Sequence, residues 1–245
     1  LVQSGVLNSS LTQIGEEIRD ANLIVIATPV AQTKIILKKI QPLLNPETII
    51  TDVGSTKSDI MCEAKVILND NFSQFIGSHP IAGSEKHGPS AAKKDLFQGK
   101  NIVLTPNKEN SINKISELTK FWELMGGKVT NMDANAHDQI FSTVSHLPHL
   151  LAFSLVSLIN HKENKDVLLN FAASGFRDFS RIAASSPEVW KDITIQNHDS
   201  IIKDLKLFQK EIVKLTNFIE LKNEDKLEDY LKLASNTRQS WSEDN

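Results

Sequence analysis

Residues 21–28, with the sequence Ala-Asn-Leu-Ile-Val-Ile-Ala-Thr, form a short apolar run rich in β-branched side chains. Such a run, ended here by Pro29, is typical of a buried strand in a parallel sheet. Apolar side chains then recur at helical intervals over 30–44, and residues 48–53 are strand-like again. This β-α-β pattern predicts an open α/β sheet with helices on its faces. It continues with a helix over 57–68, strands at 75–77 and 101–104, a helix over 112–125 and a strand at 128–131.

The pattern changes at about residue 133, where long amphipathic stretches replace the strand-like runs. We therefore expect a Rossmann-like nucleotide-binding domain over 1–133 and an all-α substrate and dimerisation domain over 134–245. Apolar stripes on these helices predict a homodimer, because one thin helical layer does not bury them. The predicted helices cover 135–160 with a kink at Pro148, a segment beginning at Pro187, 200–221 and 224–234, followed by a frayed tail after Arg238.

Composition narrows the class of protein. The 245 residues include 27 Lys and Arg against 30 Asp and Glu, so the net charge of −3 disfavours nucleic acid as a partner. The single Cys62 forms no internal disulfide and suits a reducing compartment, so we expect a cytoplasmic protein. No unbroken apolar run approaches the ~18–20 residues of a membrane span, the longest being 150–159, so we expect no membrane partner.

Three predicted strands end in loops that carry polar or reactive side chains: Thr28-Pro29-Val30, Val53-Gly54-Ser55 and Gly77-Ser78-His79-Pro80. Ligands of open α/β sheets bind where such strand ends meet, so the first two loops are predicted to bind a cofactor. The alternative interpretation of Gly54-Ser55 is a turn followed by a helix cap. His79 is a candidate catalytic group, although a lone histidine is more often structural.

Two further groups lie in the helical half. His146 and His149 share a helix face at i, i+3, but no carboxylate or third ligand accompanies them at a metal-site spacing, so no metal is expected. One substrate-facing and one structural histidine is the favoured interpretation. Arg177 is interpreted as a charge on a solvated turn, whereas Arg181 precedes apolar residues and is expected to be partly buried and to bind a carboxylate.

Five segments carry a resemblance to a known family: 27–30 (ATPV), 52–57 (DVGSTK), 77–85 (GSHPIAGSE), 144–149 (VSHLPH) and 175–183 (GFRDFSRIA). In this order they resemble the prephenate/arogenate dehydrogenase (TyrA) family, and the resemblance runs from residue 1 to about residue 235. It implies oxidative decarboxylation of prephenate or arogenate in tyrosine biosynthesis, with hydride transfer to NAD or NADP.

The resemblance also implies roles for individual residues. His79 matches the family's base or hydrogen-bond acceptor for the substrate hydroxyl, and Ser55 matches the serine that holds the same hydroxyl. Arg181 matches the residue that binds a substrate carboxylate. The substrate pocket would be lined by His149, Trp190 and Ser84, with Glu85 at its entrance.

A dinucleotide domain of this kind normally has a G-x-G-x-x-G turn after its first strand, and no such motif occurs in these residues. Residues 1–15 resemble the segment after the second strand, so roughly 30–40 residues are expected to precede them. A non-catalytic small-molecule-binding or regulatory relative is the main alternative, and a mononucleotide-using enzyme of another α/β family is the third. The joint presence of His79, Ser55 and Arg181 favours the enzyme.

Overall fold

Strands and helices alternate through the first half of the chain. The computed structural model describes residues 2, 7–83 and 92–244. In chain order the elements are β1 (Leu23–Ile26), α1 (Val30–Ile40), β2 (Ile49–Asp52), α2 (Ser58–Leu68), β3 (Gly77–Pro80), β4 (Asn101–Thr105), α3 (Ile112–Leu124) and β5 (Lys128–Asn131). The predicted α/β class is confirmed.

The strands pair in two groups. β1 lies parallel to β2, with Ile26 opposite Asp52, and a bridge between Ile50 and Phe75 continues the parallel pairing towards β3. β4 pairs antiparallel with β3 and parallel with β5. The antiparallel pairing was not predicted, and the third strand lies two residues later than expected, so that His79 stands inside a strand rather than after one.

Two apolar clusters hold these layers together. The first joins β1 and β2 to α1 and α2, with Leu37, Ile50 and Phe75 fully buried at its centre. The second packs β4 against α3, around Leu104 and Trp122. Because both clusters anchor the strands, the loops that leave the strand ends start from fixed positions.

The rest of the chain is helical: α4 (Ala134–Phe141), a π-helical turn (Ser142–His146), α5 (Leu147–Asn160), α6 (Lys165–Asn170), α7 (Ser174–Ser180), α8 (Pro187–Gln196), α9 (His198–Glu220) and α10 (Glu224–Asp244). Pro148 lies in the first turn of α5, where a missing amide donor is tolerated, and the π turn precedes it. Helices α6 and α7 were not predicted. The prediction of a frayed tail after Arg238 was wrong, because α10 continues to Asp244.

The helix over 134–160 is long and apolar enough, by length and composition, to cross a membrane. It nevertheless carries His137, Asp138 and His146, all buried, and Asp138 bonds to backbone amides of α2. Ionisable groups paired in this way favour a helix packed within the protein. The absence of a membrane partner stays a prediction.

The chain divides into two compact units, Leu1–Ser200 and Ile201–Asn245. The second unit contains most of α9 and all of α10, where the ring of Tyr230 lies 6.2 Å from that of Phe218 and the Lys214 ammonium lies 5.3 Å from the Tyr230 ring centre. The predicted boundary between residues 133 and 134 coincides with the start of α4 inside the first unit and stays a prediction.

Candidate active site

The loops after β1 and β2 leave the sheet side by side. The amide of Val53 donates to the carbonyl of Ile26 at 3.1 Å, which extends the parallel pairing by one bond. A Cβ on Gly54 would lie 2.5 Å from Val30 Cγ1 and 2.8 Å from Asp52 Oδ2, so only glycine fits there. The predicted cofactor segments, Thr28-Pro29-Val30 and Val53-Gly54-Ser55, therefore form one edge, and their binding role stays a prediction.

A buried ion pair lies beneath this edge. Lys57 is fully buried and its ammonium pairs with the carboxylate of Asp52. Asp52 also accepts the amide of Gly54 at 2.8 Å and that of Ser78 at 3.2 Å. Burial lowers the pKa of Lys57, and the Asp52 charge opposes that shift. Because an unpaired buried charge is costly, this pair fixes the second loop to β3.

The first turn of α2 is capped from a distant helix. The Asp138 carboxylate of α4 accepts the amide of Lys57 through Oδ1 and that of Ser58 through Oδ2, each at 2.8 Å. The alternative interpretation of Gly54-Ser55 as a turn followed by a local helix cap is therefore wrong. The neighbouring Thr56 hydroxyl donates to Gln196 Oε1 at 2.8 Å. The side chain of Ser55, which is half-buried, therefore does not cap α2 and can bind another group.

His79 belongs to a buried chain of polar groups. Its Nδ1 lies 2.8 Å from Nε2 of His137, whose Nδ1 lies 2.8 Å from Asp138 Oδ1. The ring of Phe141 contacts both imidazoles, at centroid distances of 4.9 and 4.5 Å. Burial holds the pKa of His79 well below its usual value, and the nearby Lys57 charge adds to that shift. At neutral pH the imidazole is uncharged, as a proton acceptor requires.

His146 is the more deeply buried histidine of the pair in the helical half, and its structural role stays a prediction. Asn197 Nδ2 donates to the Asp138 carbonyl at 2.8 Å and lies 3.1 Å from His146 Nδ1. The Nε2 atom of His146 is buried beside the Ser55 backbone and has no well-formed hydrogen bond to the described residues. Burial lowers its pKa to about 4.

His149 faces the other way and lies in a more open group. Its ring stacks on Trp190 with a centroid distance of 3.8 Å and an interplanar angle of 19°, and its Nδ1 donates to the Ser145 carbonyl at 2.9 Å. The turn that carries Arg181 packs against α5, the helix of His149. Burial lowers the pKa of His149, and the charge of Arg181 adds to that shift. His146 and His149 thus have different partners rather than sharing one.

Two expectations about the arginines need correction. Arg181 is exposed in the chain, not partly buried as expected, because it follows α7 in a short 3-10 turn on the surface. Arg177 is exposed as predicted but belongs to α7 rather than to a turn. Ser84 and Glu85, the other predicted pocket residues, lie outside the described residues.

Sequence analysis did not single out Lys57, His137, Asp138 or Asn197. The contacts that join His137 to His79, Asn197 to Asp138 and Asp138 to Lys57 span 58 to 81 positions, so no local sequence pattern indicates them. The one local indication of this site in the sequence was the pair of adjacent ionisable residues, His137 and Asp138, in the first helix after the last strand.

Comparison with known proteins gives two family models that together cover most of the chain. The nucleotide-binding domain of prephenate dehydrogenase matches residues 3–131, and the dimerization domain of prephenate dehydrogenase matches residues 133–233.

Individual relatives agree with the family models. The prephenate dehydrogenase of Bacillus subtilis is 36% identical over 96% of this chain, which spans 63% of the relative's length. The cyclohexadienyl dehydrogenase of Zymomonas mobilis is 32% identical, over 92% of this chain and 77% of its own. The crystal structure of Aquifex aeolicus prephenate dehydrogenase with hydroxyphenyl propionate and NAD+ has a TM-score of 0.90 at 33% identity, covering 98% and 83% of the two chains. With both of its domains matched in order, the chain belongs to the prephenate dehydrogenase family.

Proposed function

We propose that the protein oxidises and decarboxylates a cyclohexadienol, prephenate or arogenate, with NAD or NADP as the acceptor, in tyrosine biosynthesis. The observation that carries the proposal is the uncharged, buried imidazole of His79 in the strand next to the Ser55 loop. The Aquifex relative, solved with NAD+ and a hydroxyphenyl compound, supports the same chemistry.

The edge formed by Thr28-Pro29-Val30 and Val53-Gly54-Ser55 would hold the nicotinamide. Its two loops are adjacent, and Gly54 keeps the second one close to Val30 without a projecting side chain. When bound, the nicotinamide supplies a two-electron acceptor for the hydrogen on the substrate's hydroxyl-bearing carbon.

His79 would act on the substrate hydroxyl. As the ring carbon loses its hydrogen, the C–O bond gains carbonyl character and the hydroxyl proton becomes more acidic, so a neutral imidazole within hydrogen-bond reach stabilises the transition state. Loss of the ring carboxylate as CO2 completes the aromatic ring. Ser55, whose side chain does not cap α2, would form a hydrogen bond to the same hydroxyl and hold it in place.

The open group of His149, Trp190 and Arg181 would bind the rest of the substrate. An arginine suits a carboxylate because its guanidinium forms paired, charge-assisted hydrogen bonds. The stacked His149 and Trp190 rings present a flat wall beside it. Prephenate and arogenate differ in a keto group against an ammonium, so both are candidates.

We also propose a homodimer, which the match to the family's dimerization domain supports. Within the described residues, α9 exposes the large apolar side chains of Leu207, Ile212, Val213 and Ile219. Sedimentation should give a dimer at micromolar concentration. Val213→Asp should shift the protein towards monomer, whereas Lys210→Asp, which introduces the same carboxylate at an exposed polar site of the same helix, should not.

The deciding experiment is an absorbance assay for reduced nicotinamide with prephenate or arogenate and NAD+ or NADP+. Turnover should fall about 10²–10⁴-fold in His79→Asn, the usual effect of removing a general base. His161→Asn, an exposed histidine outside the site, should leave turnover unchanged. Ligand binding without any turnover by the wild-type protein would instead favour the non-catalytic alternative.

A further inference from the structure

The three buried groups His79, His137 and Asp138 form one continuous hydrogen-bonded chain. Two contacts of 2.8 Å connect them, and their exposed fractions are 8%, 0% and 3%. Only His79 of the three lies in the sheet, while the other two are consecutive residues of α4. Because each contact needs one donor and one acceptor, the hydrogen bonds restrict which ring nitrogens of His79 and His137 carry protons.

The Asp138 carboxylate, at one end of these hydrogen bonds, determines where the protons lie. Asp138 Oδ1 also accepts the amide of Lys57, and Oδ2 accepts that of Ser58. Backbone amides only donate, so the carboxylate acts as an acceptor throughout. Consequently His137 Nδ1, in contact with Oδ1, carries a proton.

The charge of His137 determines which imidazole donates in its contact with His79. Burial lowers the pKa of His137, although the hydrogen bond to Asp138 opposes that shift, and the nearby Lys57 cation lowers it further. The ring is therefore neutral at pH 7, with its single proton on Nδ1 and a lone pair on Nε2. His79 Nδ1 must then be the donor in the contact between the two imidazoles.

We infer that His137 is a positioning residue that fixes His79 in the tautomer with a proton on Nδ1 and a lone pair on Nε2. Nε2 is then the atom that accepts the substrate's hydroxyl proton, and Phe141 limits ring rotation by packing on both imidazoles. The catalytic part of this inference rests on the proposed function, whereas the tautomer itself does not.

Nitrogen NMR of the ¹⁵N-histidine-labelled wild-type protein tests the tautomer directly. The His79 signals are assigned by their loss in His79→Asn. Expected at pH 7 is a protonated-type Nδ1 and an unprotonated-type Nε2. A proton on Nε2 of His79 overturns the inference, whether or not the protein turns over a substrate.

A pair of variants tests the role in turnover. The amide of Gln can reproduce the Nε2 acceptor that His79 needs, whereas that of Asn reproduces the Nδ1 donor that Asp138 needs. We expect His137→Asn to lower kcat by about 10²-fold or more with little change in KM, as a wrong tautomer does, and His137→Gln to stay within about tenfold of the wild type.

A merely structural role predicts the opposite order, because Asn keeps the donor to Asp138, whose carboxylate accepts the first amides of α2. Equal losses in both variants, or a milder loss in His137→Asn, therefore overturn the role in turnover. If the wild-type protein shows no turnover, the proposed function fails, and the NMR result still decides the tautomer.

Discussion

The carboxylate of Asp138 caps the helix that begins at Ser58, accepting its backbone amide at 2.8 Å from eighty positions further along the chain. The four free amides of a helix start need acceptors, and an anion there also interacts favourably with the helix dipole. Here the acceptor comes from α4 rather than from a neighbouring serine or threonine. The cap therefore also joins the first helical segment after the sheet to the loop that carries Ser55.

Asp138→Asn should lower the free energy of unfolding by about 1–3 kcal/mol, because one buried amide and the His137 ring lose a charged acceptor. Urea unfolding at pH 7 measures the change. Asp70→Asn, at an exposed aspartate, should stay within about 0.5 kcal/mol of the wild type. A loss no larger in Asp138→Asn than in Asp70→Asn would mean that the cap contributes little.

The sequence predicted the elements whose signals are local. The β-branched run at 23–26 and the apolar periodicity of α1 and α5 report burial within a few residues of the chain, and each lies where expected. The strand around His79 was placed two residues early because the apolar run ends at Gly77, yet the polar Ser78 and His79 and the following Pro80 still pair with β4.

The site was less predictable because its contacts are long-range. His79 was identified from its neighbours in sequence, but the partner that sets its environment, His137, is 58 positions away. The exposure of Arg181 depends on how the turn after α7 meets α5, which an apolar stretch after the arginine does not specify. Lys57 looked like the start of a helix, and only the fold shows that its side chain is buried against Asp52.

The stability of the protein should fall in mild acid because of His146. Its pKa of about 4 in the folded protein lies below the ordinary value of 6.5, so between these pH values the unfolded chain binds more protons. The neutral form contributes fully above pH 6.5, and the contribution is lost as the pH falls towards 4. The difference between the two pKa values corresponds to a loss of about 3 kcal/mol in the free energy of unfolding once the pH is well below 4.

Burial also lowers the pKa values of His79 and His137, so these residues contribute to the same loss of stability in acid. Variants are therefore needed to isolate the contribution of His146. His146→Asn, which keeps an acceptor for Asn197, should show a smaller loss of unfolding free energy between pH 7 and pH 4.5 than the wild type. The exposed His161→Asn should follow the wild-type curve. Parallel curves for the wild type and His146→Asn would show that this imidazole does not titrate with unfolding.

The charge of Arg181 should be detectable at His149. Because the guanidinium disfavours a second positive charge nearby, Arg181→Gln should raise the pKa of His149 in an NMR titration. High salt should narrow the difference, since Arg181 is exposed and its field is screened. Arg177→Gln removes the same charge one helical turn away and should leave the titration unchanged; a larger shift there would place Arg177, not Arg181, beside the imidazole.

Arg181→Ala should raise KM for prephenate or arogenate far more than it lowers kcat, because a contact with a carboxylate distant from the reacting carbon stabilises the ground and transition states alike. A charge-assisted pair contributes about 1.5–3 kcal/mol, and the stranded carboxylate adds to the loss, so kcat/KM should fall ~10–10³-fold. Arg177→Ala is the matched control, because it is also exposed and four residues away. Steady-state kinetics on both variants separate the two arginines. If Arg177→Ala impairs KM while Arg181→Ala is nearly normal, the substrate carboxylate binds at Arg177 in α7 rather than at Arg181.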